Sequence, residues 1–205
     1  MSYDIQLNED EKDCLQELMN IAYGSASSAI AEIIDAFATL AIPNIKVINV
    51  SELKSYLNEQ LKGKEHFVAS QLINGDFSGE NLFIIGKDSA INMSKEFDLV
   101  HDGELTDNEI SDIVLEITNI LSSTTISSLI SEMNSYASFS PPSITKIKDA
   151  DELEDNKLEE YDQVIIISTE LNFAEQNIYG QLLMLATDES IIYIKKAVNQ
   201  ILEEF

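Results

Sequence analysis

The chain has 205 residues, 44% of them hydrophobic, enough for one well-packed domain or two small ones. Thirty-seven acidic against twelve basic residues leave a formal net charge of −25. That balance argues against direct binding to nucleic-acid phosphates or an anionic membrane, and favours a basic partner reached by steered encounter. A lone cysteine, Cys14, excludes an intramolecular disulfide. With no basic-then-apolar leader and no run of about 18 consecutive apolar residues, a cytoplasmic protein without membrane insertion is expected.

In chain order, the first expected element is a helix. Asn8 can cap it, with Glu11 three residues on and Leu7 just before. Apolar residues at 15, 18, 19, 22, 26, 29, 30, 33 and 34 supply its core stripe. Cys14 lies on this helix beside Asp13, where acidic neighbours discourage a thiolate, so a structural role is expected. Gly24 inside a helix costs roughly 1 kcal/mol relative to Ala; close packing against a neighbour would explain it, and a tolerated cost is the alternative. The helix should end before Pro43. Segment 44–50 alternates as a strand, and runs 66–73 and 80–85 read as a hairpin around the turn-rich 74–79. A helix-compatible segment, 89–98, follows Asp88.

The second half reads the same way. Thr106 and Glu109, preceded by Leu105, form a capping box, and residues 110, 113, 114, 117, 121, 129, 130 and 133 continue as a core stripe. This helix should end before Pro141 and Pro142. The interval 149–162 reads as a charged loop, 163–171 and 177–185 as a second hairpin, and 189–204 as an amphipathic helix. The expected fold is α+β: six main strands in a mainly antiparallel sheet, with two long helices on one face.

One polar pattern is written twice. Asp13, Glu17 and Asn20 recur 99 residues later as Asp112, Glu116 and Asn119. Offsets of 0, 4 and 7 put three polar side chains on one helical stripe. Neither Glu nor Asn belongs to the core stripe, so both should face away from the core. The surroundings repeat as well: small residues follow each motif, Pro43-Asn44-Ile45 matches Pro142-Ser143-Ile144, and 86–91 matches 186–191. A single domain, 1–205, built with pseudo-two-fold symmetry from repeats of about 8–100 and 106–205, is expected. His66 and His101 are isolated, no zinc pattern forms with Cys14, and no phosphate-cradling Gly-rich loop occurs.

The Asp-x3-Glu-x2-Asn pattern, followed in the first copy by NIAYGSASSAI, resembles the CheC/CheX/FliY family of chemotaxis phosphatases. The resemblance covers nearly the whole chain. Two intact motifs are similar to CheC, and no residues remain for the flagellar-switch domain of FliY-type proteins. The resemblance implies hydrolysis of the phosphoaspartate on a CheY-type response regulator. Asn20 and Asn119 would orient the attacking water, and Glu17 and Glu116 would pair with a lysine of the regulator. Asp13 and Asp112 would extend each stripe as recognition contacts. The chain itself would bind no cofactor or metal; the divalent cation, Mg, would sit on the regulator. Pairing with the receptor deamidase CheD is implied by the family alone. The alternative is a non-catalytic adaptor for a regulator or for CheD.

Overall fold

The computed structural model describes residues 6–76, 78–97, 105–153 and 163–203. Its first half contains α1 (Glu9–Ile33), β1 (Thr39–Leu40), β2 (Asn44–Asn49), α2 (Val50–Leu61), β3 (His66–Gly75), β4 (Gly79–Gly86) and α3 (Lys87–Glu96). Its second half contains α4 (Asp107–Glu132), β5 (Ala137–Phe139), β6 (Ser143–Ile147), a 3-10 turn at Ala150–Glu152, β7 (Gln163–Phe173), β8 (Ile178–Ala186) and α5 (Asp188–Glu203). The 3-10 turn stands where the first half has α2. His101 and most of the charged interval 149–162 lie outside the described residues.

Both long helices start where their boxes place them. Asn8 Oδ1 accepts from the Glu11 backbone N–H at 2.9 Å, and Glu11 Oε2 accepts from the Asn8 N–H at 2.8 Å. Thr106 and Glu109 exchange the same pair of bonds at 3.3 and 2.7 Å. The helices stop well before the prolines. Asp35 and Asn134 adopt left-handed φ of 47° and 50°, and the N–H groups of Ala36 and Ser135 reach back to the carbonyls of Ala31 and Ile130. These six-to-one bonds close each helix as a Schellman motif, at residue types that tolerate the left-handed region.

Between those stops and the prolines lie two strands that the sequence did not announce, so among the described residues the sheet has eight strands, not six. The prolines act on the edge strands instead. Leu40 lies opposite Leu171, and an unbroken ladder would set Asn44 opposite Ile167; it lies opposite Ser168. Phe139 lies opposite Ile73, yet Ser143 is one residue out of step, opposite Ser70. Lacking an N–H, proline interrupts the ladder, and the chain absorbs a bulge at each place.

The sheet order is β1-β7-β8-β4-β3-β5, with β2 also on β7 and β6 also on β3. The early edge strands β1 and β2 therefore pair with the late strand β7, and the late strands β5 and β6 with the early β3. Each half closes the other's sheet edge. β4 and β8 meet in the middle, with Leu82 opposite Leu183.

The strands alternate between two cores. Phe67, Ala69 and Ile73 of β3, and Ile165, Ile167, Leu171 and Phe173 of β7, face the main core beneath α1, α3, α4 and α5. Val68, Val164 and Ile166 point to the other face, against Leu53, Leu57 and Leu61 of α2. Each such fully buried side chain is worth about 1.5–3 kcal/mol. A helix at 50–61 was not expected, although Asn49 and Glu52 form its box: the Asn49 N–H donates to Glu52 Oε2 at 3.1 Å. Helix α4 is long and apolar enough to cross a membrane by composition, but half of the apolar window is buried inside the protein.

Candidate functional site

Helix α1 packs side by side with α4 on the main-core face of the sheet. The periodicity that buries Leu15, Leu18, Met19, Ala22 and Ala26 on α1, and Ile113, Val114, Ile117 and Leu121 on α4, turns the intervening positions outward. Asp13, Glu17 and Asn20 are exposed on α1, and Asp112, Glu116 and Asn119 are exposed on α4. Two carboxylate–carboxamide stripes thus face solvent from neighbouring helices. The side chains of Asp13, Glu17, Asp112, Glu116 and Asn20 make no hydrogen bond or ion pair with another described residue. Such uncommitted groups are free to meet an external partner.

Asn119 differs. Its Oδ1 accepts from Gln71 Nε2 at 3.0 Å, and the same Nε2 donates to the Ser140 main-chain oxygen at 2.8 Å. Gln71 is 2% exposed and sits on the core-facing row of β3, between Ala69 and Ile73. The matching position on β7 is Thr169, between Ile167 and Leu171. The Ala41 N–H donates to Glu170 O as the Ser140 N–H donates to Leu72 O, and Thr169 Oγ1 donates to Ala41 O at 2.6 Å. Sequence reasoning passed over Gln71 and Thr169. Their signal was there, as polar residues interrupting otherwise apolar alternate positions in two strands.

The flanks of the two stripes also differ. On α1, Gln16 Nε2 donates to the Pro43 carbonyl at 2.6 Å, tying the helix to the β1–β2 connection. Ser123 on α4 bonds back to the Asn119 carbonyl at 2.6 Å, where α1 has Gly24. A Cβ added at Gly24 would meet nothing within 4 Å. The close packing expected there is absent, and the glycine is a tolerated cost.

Glu11, two residues before the first stripe and on the buried side of α1, is 2% exposed. It accepts from Asn199 Nδ2 at 2.8 Å and pairs with Lys195 at 3.2 Å. Burial pushes its carboxyl up, but bonds from Asn199, the Asn8 backbone and Lys195 outweigh this and hold it below the usual range. It is a structural clamp between α1 and α5. Cys14 is half-buried and burial pushes its thiol up, which disfavours the reactive thiolate. His66 Nδ1 lies 2.9 Å from the Lys64 carbonyl. Among the described residues, no group of three or more His, Cys, Asp or Glu comes together to hold a metal.

No protein-family model matches the sequence. Solved structures do match the fold. FliY from Thermotoga maritima has a TM-score of 0.76 at 17% identity, covering 96% of this chain and 99% of that one. A chain of the FliM–SpeE complex from H. pylori gives 0.63 at 12% identity, covering 95% and 97%. A chain of the CheX–CheY–BeF3–Mg complex from Borrelia burgdorferi gives 0.53 at 11% identity, covering 83% and 98%. The architecture is therefore an α+β fold shared with solved structures of FliY, FliM and CheX. Its structural neighbours include FliY, CheX and CheC-like proteins, the group that the paired motifs resemble.

Proposed function

We propose that this protein hydrolyses the phosphoaspartate of a CheY-type response regulator in chemotaxis signalling in the cytoplasm. Asn20 and Asn119 orient the attacking water. Glu17 and Glu116 pair with a lysine of the regulator's phosphorylation pocket, and Asp13 and Asp112 add recognition contacts. The observation that carries this reading is the pair of solvent-facing carboxylate–carboxamide stripes on adjacent helices.

An acyl phosphate is already reactive, so catalysis can consist largely of placing a water in line with the bond to be broken. A carboxamide both donates and accepts without titrating, which suits that task. Stripes on a convex helix surface also suit a substrate carried by another protein, because the helix can enter that protein's pocket. The divalent cation belongs to the regulator, where it neutralises charge on the phosphoryl oxygens. The likeness to a chain from a complex that contains CheY, BeF3 and Mg supports this class of partner. The chain is read as two copies of one unit, each supplying one stripe.

The test is the decay of a phosphorylated CheY-type regulator with and without the protein, in wild type, N20A, N119A and the double variant. Faster decay that the double variant loses is the expected result. Unchanged decay alongside intact binding would sink the reading.

That second outcome would favour a non-catalytic adaptor for a response regulator or for the receptor deamidase CheD. A chain of this fold also occurs in the FliM–SpeE complex, so engaging a protein partner is within the fold's range. An adaptor would bind its partner equally well with both asparagines replaced.

A further inference from the structure

We propose that Gln71 is a positioning residue for Asn119, holding the second stripe's carboxamide in one orientation while the first stripe's Asn20 has no equivalent. This rests on the reading of the asparagines as water-orienting groups, and it makes the two sites unequal.

The chain of constraint starts at the Ser140 main-chain carbonyl, which can only accept. Gln71 presents Nε2 to it at 2.8 Å. A flipped amide would set Oε1 against that carbonyl, two acceptors face to face, so the orientation of Gln71 is decided. The second hydrogen on Nε2 is then available to Asn119, whose Oδ1 lies 3.0 Å away. Flipping Asn119 would oppose two donors. Asn119 therefore turns its oxygen to the sheet and its Nδ2 to solvent, with one Oδ1 lone pair still free to accept. Gln71 is walled in, at 2% exposure. Its Oε1 is buried with no partner among the described residues, a cost that an apolar side chain at this position would not carry.

At the matching position, Thr169 has a single hydroxyl proton, and it goes to the Ala41 carbonyl at 2.6 Å. No donor remains for a carboxamide above it. Asn20 must lose its rotamer freedom at each engagement, whereas Asn119 has lost much of it before the partner arrives.

The experiment uses the full-length chain, labelled with ¹⁵N, and compares side-chain amide relaxation at Asn119 and Asn20. Restricted motion at Asn119 alone is expected, with Q71L releasing it and leaving Asn20 unchanged. Q71M, which keeps the length without the amide, serves if Q71L folds poorly. In turnover assays on an N20A background, Q71L should lower kcat about fivefold, the weight of one unfrozen side chain, with KM for the phosphorylated regulator unchanged. On an N119A background, Q71L should change neither constant. Equal mobility of the two wild-type asparagines, or equal losses on both backgrounds, would overturn the proposal. Wild-type protein without any turnover would defeat the phosphatase reading instead, and the relaxation data would still decide whether Gln71 orders Asn119.

Discussion

Helix α1 is tied down at its base by Glu11, which is buried against Asn199 and Lys195, and at its flank by Gln16 on Pro43. Its carboxamide, Asn20, has no hydrogen-bond partner among the described residues. Helix α4 is held differently: Asp107 in its first turn pairs with Lys146 and Lys87, and Asn119 is bonded into the sheet through Gln71. The two helices present the same residue types at the same spacing and hold them by different means. Presentation and anchoring are thus separable properties: the same surface motif is bonded to the strand beneath in one stripe and not in the other.

The comparison can be broken most directly at the asparagines. Replacing both with Ala should return regulator dephosphorylation to the regulator's own rate, a loss of about 10²–10³-fold, the range for removing a polar contact made in the transition state. N119A should remove the larger share. An equal division, read from single-variant decay rates, would make the Gln71 anchor irrelevant to turnover.

The cores beneath the stripes also differ, at Met19 on α1 and Thr118 on α4, both within 1% of complete burial. Met19→Ala removes packing atoms from the centre of the main core and should cost about 3 kcal/mol in urea unfolding. Thr118→Val should cost less than about 1 kcal/mol, because the hydroxyl bonds only to its own helix at the Val114 carbonyl, 2.6 Å away.

Acid should loosen α1 at Glu11. Glu11 has a folded pKa below its ordinary value of 4.5, so the unfolded chain binds the proton more tightly. Its contribution to stability is complete above the unfolded value and is lost as pH falls through the lower folded one. Glu11→Gln should remove that part of the acid dependence and cost about 1–2 kcal/mol at neutral pH. Denaturation midpoints between pH 7 and pH 3 would check both, and an unchanged slope would refute the clamp.

The smallest effect is at Gly24. A methyl group there would meet no neighbour within 4 Å, so Gly24→Ala should raise stability by about 0.5–1 kcal/mol through helix propensity. A loss on thermal unfolding would restore the close-packing explanation.

Much of this was legible locally. The boxes at Asn8 and Thr106 start helices because their side chains reach backbone only three residues away. Apolar spacing then tells which side of α1 and α4 is buried, and so that Glu17, Asn20, Glu116 and Asn119 are exposed. The box at Asn49, with Leu53, Leu57 and Leu61 at helical spacing, was equally legible for α2 but was not read. The strands β1 and β5 were not legible in the same sense. At two and three residues, they are too short for an alternation to register, and only a partner strand makes them strands.

What the chain alone determined is therefore the set of helices and hairpins and the outward direction of the two polar stripes, because these depend on backbone periods of 3.6 and 2 residues. Tertiary structure decided which strand edges pair across the halves, where α2 lands, and that Gln71 reaches Asn119, 48 residues away in sequence. Those outcomes depend on strand register, which brings together residues that no local spacing relates.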